Sequence, residues 1–427
     1  MKPIKIGIAG LGNVGEEVAY QLIKGFRVQE KLFQIELVAV SARSKNKKRK
    51  VDINNLKFFD NPTDMVSDNN IDVIVELIGG DEGVAKDLCF SALKNNKAVI
   101  TANKALIVKY GKELAEIAEE KNLFFSFEAS VAGGIPILKL IREGLIVNDI
   151  TKLTGILNGT TNYILSEMEK EQKSFDIVLK EAQIKGFAEA DPYDDISGTD
   201  AAYKLIILSN LSFGINTNIK DVHLEGIDQI EEIDIRMARK LNYEIILLGI
   251  ASFKNKRILQ RVHPCLLSKE SIITKVKNEL NTLVIEDNHA GKIMLVGKGA
   301  GSMPTSSAVV SDILNYKDPK KRVFDFEIRD DNKKFCNIDL GLRKGNFYIR
   351  LMVEDKPGVL ADITAFFKSE KVSIKSMFQL PEKTKKIVPL ILITHKITEK
   401  QISFVVKKMN KMSRIRSRVK LIRIEDI

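Results

Sequence analysis

Five carboxylate side chains and one lysine crowd a short stretch in the middle of the chain. The carboxylates belong to Glu189, Asp191, Asp194, Asp195 and Asp200. Lys204 follows Asp200 by one helical turn. Like charges at this spacing repel, so the group costs free energy unless cations, hydrogen-bond donors or a charged ligand offset the repulsion. Carboxylates that hold a cation beside a lysine that can exchange a proton would suit acid–base chemistry on a charged substrate.

The same residues also permit a structural interpretation. Ser197 and Asp200 have the spacing of a helix-capping box, and Asp200 and Lys204 would then be an ordinary i,i+4 pair. The residues around Lys204 are nearly all apolar, however, which predicts a buried helix rather than an amphipathic one. A lysine in the first turns of a buried helix is expected to face a cleft, and this favours the functional interpretation.

The N-terminus has the pattern of a dinucleotide-binding site. An apolar strand is predicted from Ile4 to Ala9, and G-x-G-x-x-G follows it directly before a helix pattern. Such glycines allow a tight turn and the close approach of a pyrophosphate to the helix N-terminus. The predicted cofactor-binding residues here are Gly10, Gly12, Asn13, Val14 and Gly15.

The strand after this helix ends without the acidic residue that would hold the ribose of NAD. Arg43 and Lys45 follow it instead, and their charges suit a 2′-phosphate. NADP is therefore favoured as the cofactor, and additional use of NAD stays open.

Strand and helix patterns alternate as far as about residue 130, which predicts a Rossmann-type, doubly wound parallel sheet. Ligands bind at the carboxyl ends of such strands. Gly79-Gly80, Asn103-Lys104 and Glu128 fall at these ends. Farther along, Gly299 and Gly301 precede another helix pattern, which fits either a second ligand-binding loop or a plain turn.

Length and composition limit the class of protein. The 427 residues exceed what one hydrophobic core usually supports, and 44% of them are hydrophobic, so a multidomain soluble globular protein is expected. Neither a signal peptide nor an apolar run of membrane-spanning length is recognisable. The formal charge of +11 is spread without an aromatic-interleaved basic motif, which argues against nucleic-acid binding. Cys89, Cys265 and Cys336 lack metal-ligand spacing, which suggests a reducing cytoplasm.

The last eighty or so residues follow the order βαββαβ, which predicts a ferredoxin-like unit of the α+β class. Its stretch "EDKPGVLADI" contains Pro357-Gly358 between a strand and an amphipathic helix.

Six motifs occur in the order in which homoserine dehydrogenases have them: "GLGNVG", "TANKALI", "EASVAGGIPIL", "GILNGTTNYIL", "GFAEADPYDDISGTDAAYK" and "GKGAGSMPTSSAVVSD". The chain thus resembles this family over almost its whole length. The resemblance implies reversible, NAD(P)-dependent interconversion of L-aspartate 4-semialdehyde and L-homoserine, a step towards threonine, methionine and isoleucine. No aspartokinase-like segment precedes the glycine loop, so the monofunctional form is expected.

The resemblance also implies roles for single residues. Glu189 and Asp200 look like the acids that bind substrate, Lys204 like the proton donor, and Lys104 like a lysine near the nicotinamide and substrate. Lys204 is favoured over Lys104 as the donor because a buried apolar helix eases loss of the ammonium proton. Asp195 is expected to bind at the substrate site by orienting the lysines and the loop.

Further binding residues follow from the same resemblance. Gly186 and Gly301 are expected to contact the cofactor. The stretch from Glu128 to Ile135 resembles a site for sodium or potassium. Its ligands would be the Glu128 carboxylate and the carbonyls of Val131, Gly133 and Ile135. An ordinary strand-loop-helix connection is the alternative.

The C-terminal unit resembles the ACT regulatory domain, which implies an amino-acid effector, with threonine as the first candidate; a ligand-free structural or oligomerisation domain is the alternative. The expected domains are a dinucleotide-binding domain at 1–130 that is completed by 300–320, a substrate-binding, catalytic and dimerisation domain at 131–299, a linker at 321–345 and the ACT domain at 346–427. A homodimer or homotetramer is expected.

A dehydrogenase of another small semialdehyde and a catalytically silent amino-acid sensor remain the alternative functions.

Overall fold

The computed structural model describes residues 3–25, 34–316, 335–379 and 386–427. The predicted linker lies outside the described residues as far as residue 334. The β-strands are β1 (Ile4–Ala9), β2 (Ile35–Ser41), β3 (Lys57–Phe59), β4 (Val73–Glu76), β5 (Ala98–Thr101), β6 (Phe125–Ser126), β7 (Ile150–Ile156), β8 (Val222–Leu224), β9 (Tyr243–Lys254), β10 (Arg257–Ser268), β11 (Leu280–Asp287), β12 (Lys292–Lys298), β13 (Cys336–Asn337), β14 (Lys344–Glu354), β15 (Ile374–Gln379), β16 (Ile387–Thr394), β17 (Ile397–Thr398) and β18 (Lys420–Glu425).

The α-helices are α1 (Asn13–Lys24), α2 (Val84–Lys94), α3 (Lys104–Glu120), α4 (Ile137–Lys139), α5 (Gly159–Glu171), α6 (Phe175–Ile184), α7 (Tyr193–Ile196), α8 (Thr199–Phe213), α9 (Glu232–Lys240), α10 (Ser302–Asn315), α11 (Val359–Ser369) and α12 (Glu399–Met409). None of the helices in the described part of the chain combines the length and the apolar character needed to cross a membrane.

The described chain divides into two compact units. The first draws on residues 1–159, 200–221 and 280–335, and the second on 160–199, 222–279 and 336–427.

The first unit contains the predicted doubly wound sheet. Its strands lie in the order β3-β2-β1-β4-β5-β6, and every neighbouring pair is parallel. Strands β1, β4 and β5 are buried along almost their whole length because helices cover a parallel sheet on both faces. Helix α10 adds Val309 and Ile313 to the core that Ile6, Ile8 and Val75 form.

Two further parts of the first unit matter for the site. Strand β11 pairs antiparallel with both β7 and β12. Helix α8 is buried along most of its length, as the apolar residues around Lys204 predict.

The second unit contains a long antiparallel pair, β9 and β10, with β8 and β18 parallel to β10. Its C-terminal part is ferredoxin-like, as predicted. Strands β18, β14, β16 and β15 form an antiparallel sheet in that order, and α11 and α12 are its helices. Phe347, Ile349, Ile363 and Phe367 lie in its core.

Candidate active site

Asp200 is the centre of a compact charged group in the first unit. Its Oδ2 accepts a hydrogen bond from Lys204 Nζ at 2.7 Å and another from Asn158 Nδ2 at 2.8 Å. Its Oδ1 lies 3.0 Å from Lys104 Nζ. One carboxylate therefore holds two lysines at once, one on each oxygen.

The chain brings these residues together from three places. Asp200 and Lys204 lie one turn apart in α8, Lys104 is the first residue of α3 directly after β5, and Asn158 follows β7. Lys204 also donates to the carbonyl oxygen of Leu157 at 2.8 Å. Lys104 thus comes from the carboxyl end of a parallel strand, which is where ligands bind in such sheets.

Burial and charge act in opposite directions on Asp200. Asp200 and Lys204 are each 7% exposed, whereas Lys104 is partly exposed. Burial would raise the pKa of the Asp200 carboxyl, but the charges of Lys204 and Lys104 hold this pKa well below its usual range. The group consequently places two lysine ammonium groups beside one carboxylate, and ammonium groups can stabilise a substrate anion or a forming alkoxide.

The capping-box interpretation of Ser197 and Asp200 is wrong. The backbone N–H of Ser197 donates to the carbonyl of Tyr193 as α7 ends, and α8 begins at Thr199. A capping box would require the Ser197 N–H to bond the Asp200 carboxylate, which instead bonds the lysines.

Sequence reasoning missed Asn158. Asn158 is the first residue of the stretch "NGTTN", and its amide donates to the carboxylate of Asp200, which is distant in the sequence. The available signal was a polar amide at the carboxyl end of a buried strand, because an unpartnered amide there would cost free energy.

The glycine turn after β1 has the shape that a dinucleotide needs. A Cβ atom at Gly10 would lie 2.5 Å from the Leu77 carbonyl oxygen, and one at Gly15 would lie 1.9 Å from that of Gly10. A Cβ at Gly12 would meet no atom of the described residues within 4 Å. Gly10 and Gly15 are thus required by close packing, whereas Gly12 borders open space at the start of α1, next to Asn13 and Val14. A pyrophosphate fits beside such a backbone.

The loop after β2 presents positive charge to solvent. Arg43 and Lys45 are both exposed, and Lys45 Nζ lies 5.9 Å from the centre of the Phe58 ring. The guanidinium of Arg49 donates to the carbonyls of Ser44 and Lys45, so it fixes the course of the loop.

Three of the predicted substrate and cofactor residues lie in the second unit. Glu189 is exposed between α6 and α7, Asp195 is half-buried in α7, and Gly186 has φ +76° and is exposed. Gln183 Nε2 donates to the carbonyl of Glu189 at 3.1 Å. Asp200, Lys204 and Lys104 are therefore brought together within one unit, while Glu189, Asp195 and Gly186 belong to the other.

Glu128 is a buried acid whose carboxylate is fixed by backbone groups. Its oxygens accept from the N–H groups of Leu138 at 3.0 Å and Lys139 at 2.8 Å, and Arg142 lies at 3.5 Å. Burial, reinforced by the nearby Asp312 carboxylate, raises the pKa of Glu128 to about 7. A buried acid with this surplus of negative charge would be stabilised by a cation.

The loop after Glu128 turns its backbone sharply. Ala132 and Gly133 have φ of 55° and 45°. The Ile135 carbonyl already accepts the Ile137 N–H, but within the described ranges no hydrogen bond reaches the carbonyls of Val131 and Gly133. Two buried carbonyls and a carboxylate are the hard oxygen ligands that suit sodium or potassium.

The second glycine loop packs against this segment. A Cβ atom at Gly133 would lie 2.9 Å from the Gly299 carbonyl oxygen, and the Gly134 N–H donates to the Lys298 carbonyl. Gly301, with φ +111°, is the N-cap of α10. The loop is therefore more than an isolated turn, since it supports the proposed cation loop.

Comparisons with known proteins match most of the chain. Residues 10–128 match the family model for the NAD-binding domain of homoserine dehydrogenase, 136–314 match that for homoserine dehydrogenase, and 347–413 match that for the ACT domain. A homoserine dehydrogenase of Neisseria gonorrhoeae is 36% identical over 435 residues, which covers 100% of both chains.

Solved structures are similar over the same length. A homoserine dehydrogenase from Thiobacillus denitrificans has a TM-score of 0.90 and 40% identity, covering 100% of this chain and 99% of that one. A homoserine dehydrogenase of S. aureus has a TM-score of 0.78 and 33% identity, with 100% of both chains covered.

Proposed function

Because the chain belongs to the homoserine dehydrogenase family of NAD(P)-dependent oxidoreductases, we propose that it reduces L-aspartate 4-semialdehyde reversibly to L-homoserine. This step would serve the biosynthesis of threonine, methionine and isoleucine. The observation that supports the proposal most directly is the Asp200 carboxylate, which holds Lys204 and Lys104 on its two oxygens.

In the proposed reaction Lys204 is the acid. A bound nicotinamide would supply the hydride for the aldehyde carbon, and the negative charge that develops on the aldehyde oxygen would need a proton from the chain. Lys204 donates one proton to that oxygen, which gives the alcohol, and regains its proton from solvent. Asp200 keeps the ammonium oriented because it bonds Lys204 at 2.7 Å while the Leu157 carbonyl accepts a second hydrogen bond.

The substrate also carries an ammonium and a carboxylate. Lys104 is partly exposed, and we assign it to the substrate carboxylate and the nicotinamide side of the site. Glu189 and Asp200 would bind the substrate ammonium, and Asp195 would orient the loop that carries Glu189. The exposure of Glu189 leaves its carboxylate available for this role.

For the cofactor, the open space at Gly12 supports binding of the pyrophosphate at the start of α1, with Gly186 and Gly301 as further contacts. Arg43 and Lys45 would bind the 2′-phosphate of NADP. Their exposure after β2 supports a preference for NADP over NAD.

A monovalent cation would lie at the loop after Glu128. The raised pKa of this buried acid and the carbonyls of Val131 and Gly133 support the site, and Ile135 would complete it. Sodium or potassium suits such oxygen ligands better than zinc does.

The ACT domain would bind an amino-acid effector, and threonine is the first candidate. Gly358 has φ +88° at the start of α11 and is exposed, which supports a backbone loop that a ligand can approach. The effector has to bind one arrangement of the chain better than another, because without differential affinity it shifts no equilibrium.

The proposed domain limits remain 1–130 with 300–320, 131–299 and 346–427. The packing of α10 into the core of the parallel sheet supports the inclusion of residues after 300 in the first domain.

One assay tests the proposed reaction. Oxidation of NADPH is followed by its absorbance after addition of L-aspartate 4-semialdehyde, and the experiment is repeated with NADH. We expect the nucleotide to be oxidised once L-aspartate 4-semialdehyde is added, and NADPH to be oxidised faster than NADH. Nucleotide binding without any oxidation would contradict the enzyme function and favour an amino-acid sensor.

A further inference from the structure

Glu76 is a buried acid that the proposed reaction does not use. It is the last residue of β4 and is fully buried, and it forms no salt bridge within the described part of the chain. Its Oε1 accepts from the backbone N–H groups of Ile78 at 2.7 Å and Gly79 at 3.0 Å. Burying a carboxylate costs free energy. Where no paired cation offsets this cost, hydrogen bonds to the carboxylate oxygens have to do so.

The other oxygen of Glu76 links two adjacent strands. Thr101, the last residue of β5, lies opposite Glu76 in the sheet, and its hydroxyl donates to Glu76 Oε2 at 2.5 Å. The same hydroxyl accepts from the Asn103 N–H at 3.0 Å. Because an N–H can only donate, the single hydroxyl proton has to go to Glu76, and the direction of both bonds is fixed.

Asn103 closes the connection. Its Nδ2 donates to the Gly80 carbonyl at 2.6 Å, and its Oδ1 accepts from the Leu106 N–H at 3.2 Å, which caps α3. Glu76, Thr101 and Asn103 therefore form one buried network that ties the loop after β4 to the start of α3.

Two parts of the candidate site adjoin this network. Lys104 follows Asn103 directly and is the first residue of α3. On the other side, the backbone of Leu77 packs closely against Gly10. A Cβ atom at Gly10 would lie 2.5 Å from the Leu77 carbonyl oxygen. The network thus lies between the lysine and the dinucleotide-binding turn.

We infer that the Glu76–Thr101–Asn103 network positions Lys104 and the Leu77–Gly80 loop for the reaction. These are positioning residues, since they act through Lys104 and the loop rather than on the substrate. Two apolar side chains in place of Glu76 and Thr101 would fill the same volume at a lower desolvation cost. They could not hydrogen-bond both the N–H groups of the loop and the residue that caps α3. The inference rests on the proposed role of Lys104.

The test removes one hydroxyl. Thr101→Val keeps the shape of the side chain but breaks the link between Glu76 and Asn103. Thr154→Val is the matched control, because Thr154 is equally buried in the same unit and its hydroxyl has no partner in the described structure. Thr101→Ser restores the hydroxyl and provides the rescue.

We expect Thr101→Val to lower kcat about tenfold or more relative to Thr154→Val, because small displacements of a positioned group are costly for turnover. Thr101→Ser should stay within about twofold of the unsubstituted chain. Without any cofactor, amide hydrogen exchange in the segment 102–109 should be faster in Thr101→Val and unchanged in Thr154→Val.

Lys104→Met in the same assay separates the proposed role of Lys104 from the positioning role of the Glu76–Thr101–Asn103 network. If Lys104→Met turns over normally, the proposed role of Lys104 fails. The positioning inference is overturned if Lys104→Met is impaired while Thr101→Val matches Thr154→Val in kcat and in exchange. It is also overturned if Thr101→Val loses only thermal stability, or if Thr101→Ser is as impaired as Thr101→Val.

Discussion

Replacing Asp200 by asparagine removes a negative charge that contacts both lysines of the candidate site, with almost no change of shape. The Asn158 amide can still bond the new side chain at one oxygen, but both lysines lose the negative charge of Asp200. We expect loss of stability and of turnover together, because the same contact serves both.

The distances set the size of the effect. At an effective dielectric constant of about 20, the attraction is about 6 kcal/mol for the 2.7 Å contact to Lys204 and about 5.5 kcal/mol for the 3.0 Å contact to Lys104. Desolvation of the buried groups, several kcal/mol for each, offsets most of this attraction. Removing one partner of a buried pair leaves the cost of desolvation without the attraction, so the free energy of unfolding should fall by about 3 kcal/mol. We take the lower end of the usual range because Lys104 is partly exposed.

The dependence on pH follows from the pKa of Asp200. Because this pKa is lower in the folded chain than its usual value of 3.8, the carboxylate contributes stability that is fully present above that value. The contribution is lost as the pH falls further. The difference between the unsubstituted chain and Asp200→Asn should therefore be constant from about pH 6 to about pH 8 and shrink below about pH 4.

Urea unfolding and turnover of NADPH with L-aspartate 4-semialdehyde measure the two effects. Asp194→Asn is the control, because Asp194 belongs to the same acidic stretch but is exposed. Asp200→Asn should lower kcat about a hundredfold, since both lysines lose their orientation. Combined with Lys204→Met, it should show a coupling energy of about 1–3 kcal/mol in a double-mutant cycle. Additive effects, or an Asp200→Asn protein as stable and active as Asp194→Asn, would refute the reasoning.

Three further predictions concern the cofactor, the cation and the effector. Arg43→Ala should weaken the binding of NADPH about tenfold or more and the binding of NADH little, because one charge-assisted hydrogen bond to the 2′-phosphate is lost. Equal loss of affinity for the two nucleotides in binding titrations would contradict this. Glu128 has a pKa raised to about 7, so its stabilising share is present below its usual value of 4.5 and lost as the pH rises through 7. In choline chloride, the unfolding free energy of the unsubstituted chain should fall by about 2 kcal/mol relative to that of Glu128→Gln between about pH 5.5 and about pH 8.5. Parallel curves of unfolding free energy against pH for the two proteins would contradict the raised pKa of Glu128. Sodium or potassium chloride should reduce that loss. Gly358→Asp should raise the threonine concentration needed for inhibition while kcat is kept, because only glycine is at ease at φ +88°. Truncation after about Gly345 should abolish the response to threonine, and a full-length enzyme indifferent to threonine, isoleucine, methionine and lysine would leave the ACT domain with a structural role.

Local patterns were sufficient where the chain signals its own structure. Strand β1 begins and ends as predicted, from Ile4 to Ala9, because an apolar run stops at a glycine turn. The burial of α8 was predictable from its apolar composition. Helix α3 begins at Lys104, directly after Asn103, whose side chain caps it by accepting the Leu106 N–H.

The site itself depends on contacts between distant segments, and these leave little trace in the sequence. Nothing in the spacing of Lys104 and Asp200 shows that they lie 3.0 Å apart, because α3 and α8 meet only in the folded chain. Asn158 carries no charge pattern, and Glu76 reads as the polar end of a buried strand. The Ser197 capping box failed because the preceding helix α7 already uses the Ser197 N–H.

The most direct test of the proposed mechanism is a single-turnover experiment on Lys204→Ala. The variant is saturated with NADPH, whose dissociation constant is measured first by fluorescence, and is then mixed with L-aspartate 4-semialdehyde. If Lys204 donates the proton to the forming alkoxide, NADPH binding should be within about twofold of the unsubstituted chain while oxidation is slower by about 10² or more. Near-normal oxidation, or an equal loss of NADPH affinity, would contradict the assignment of Lys204 as the acid.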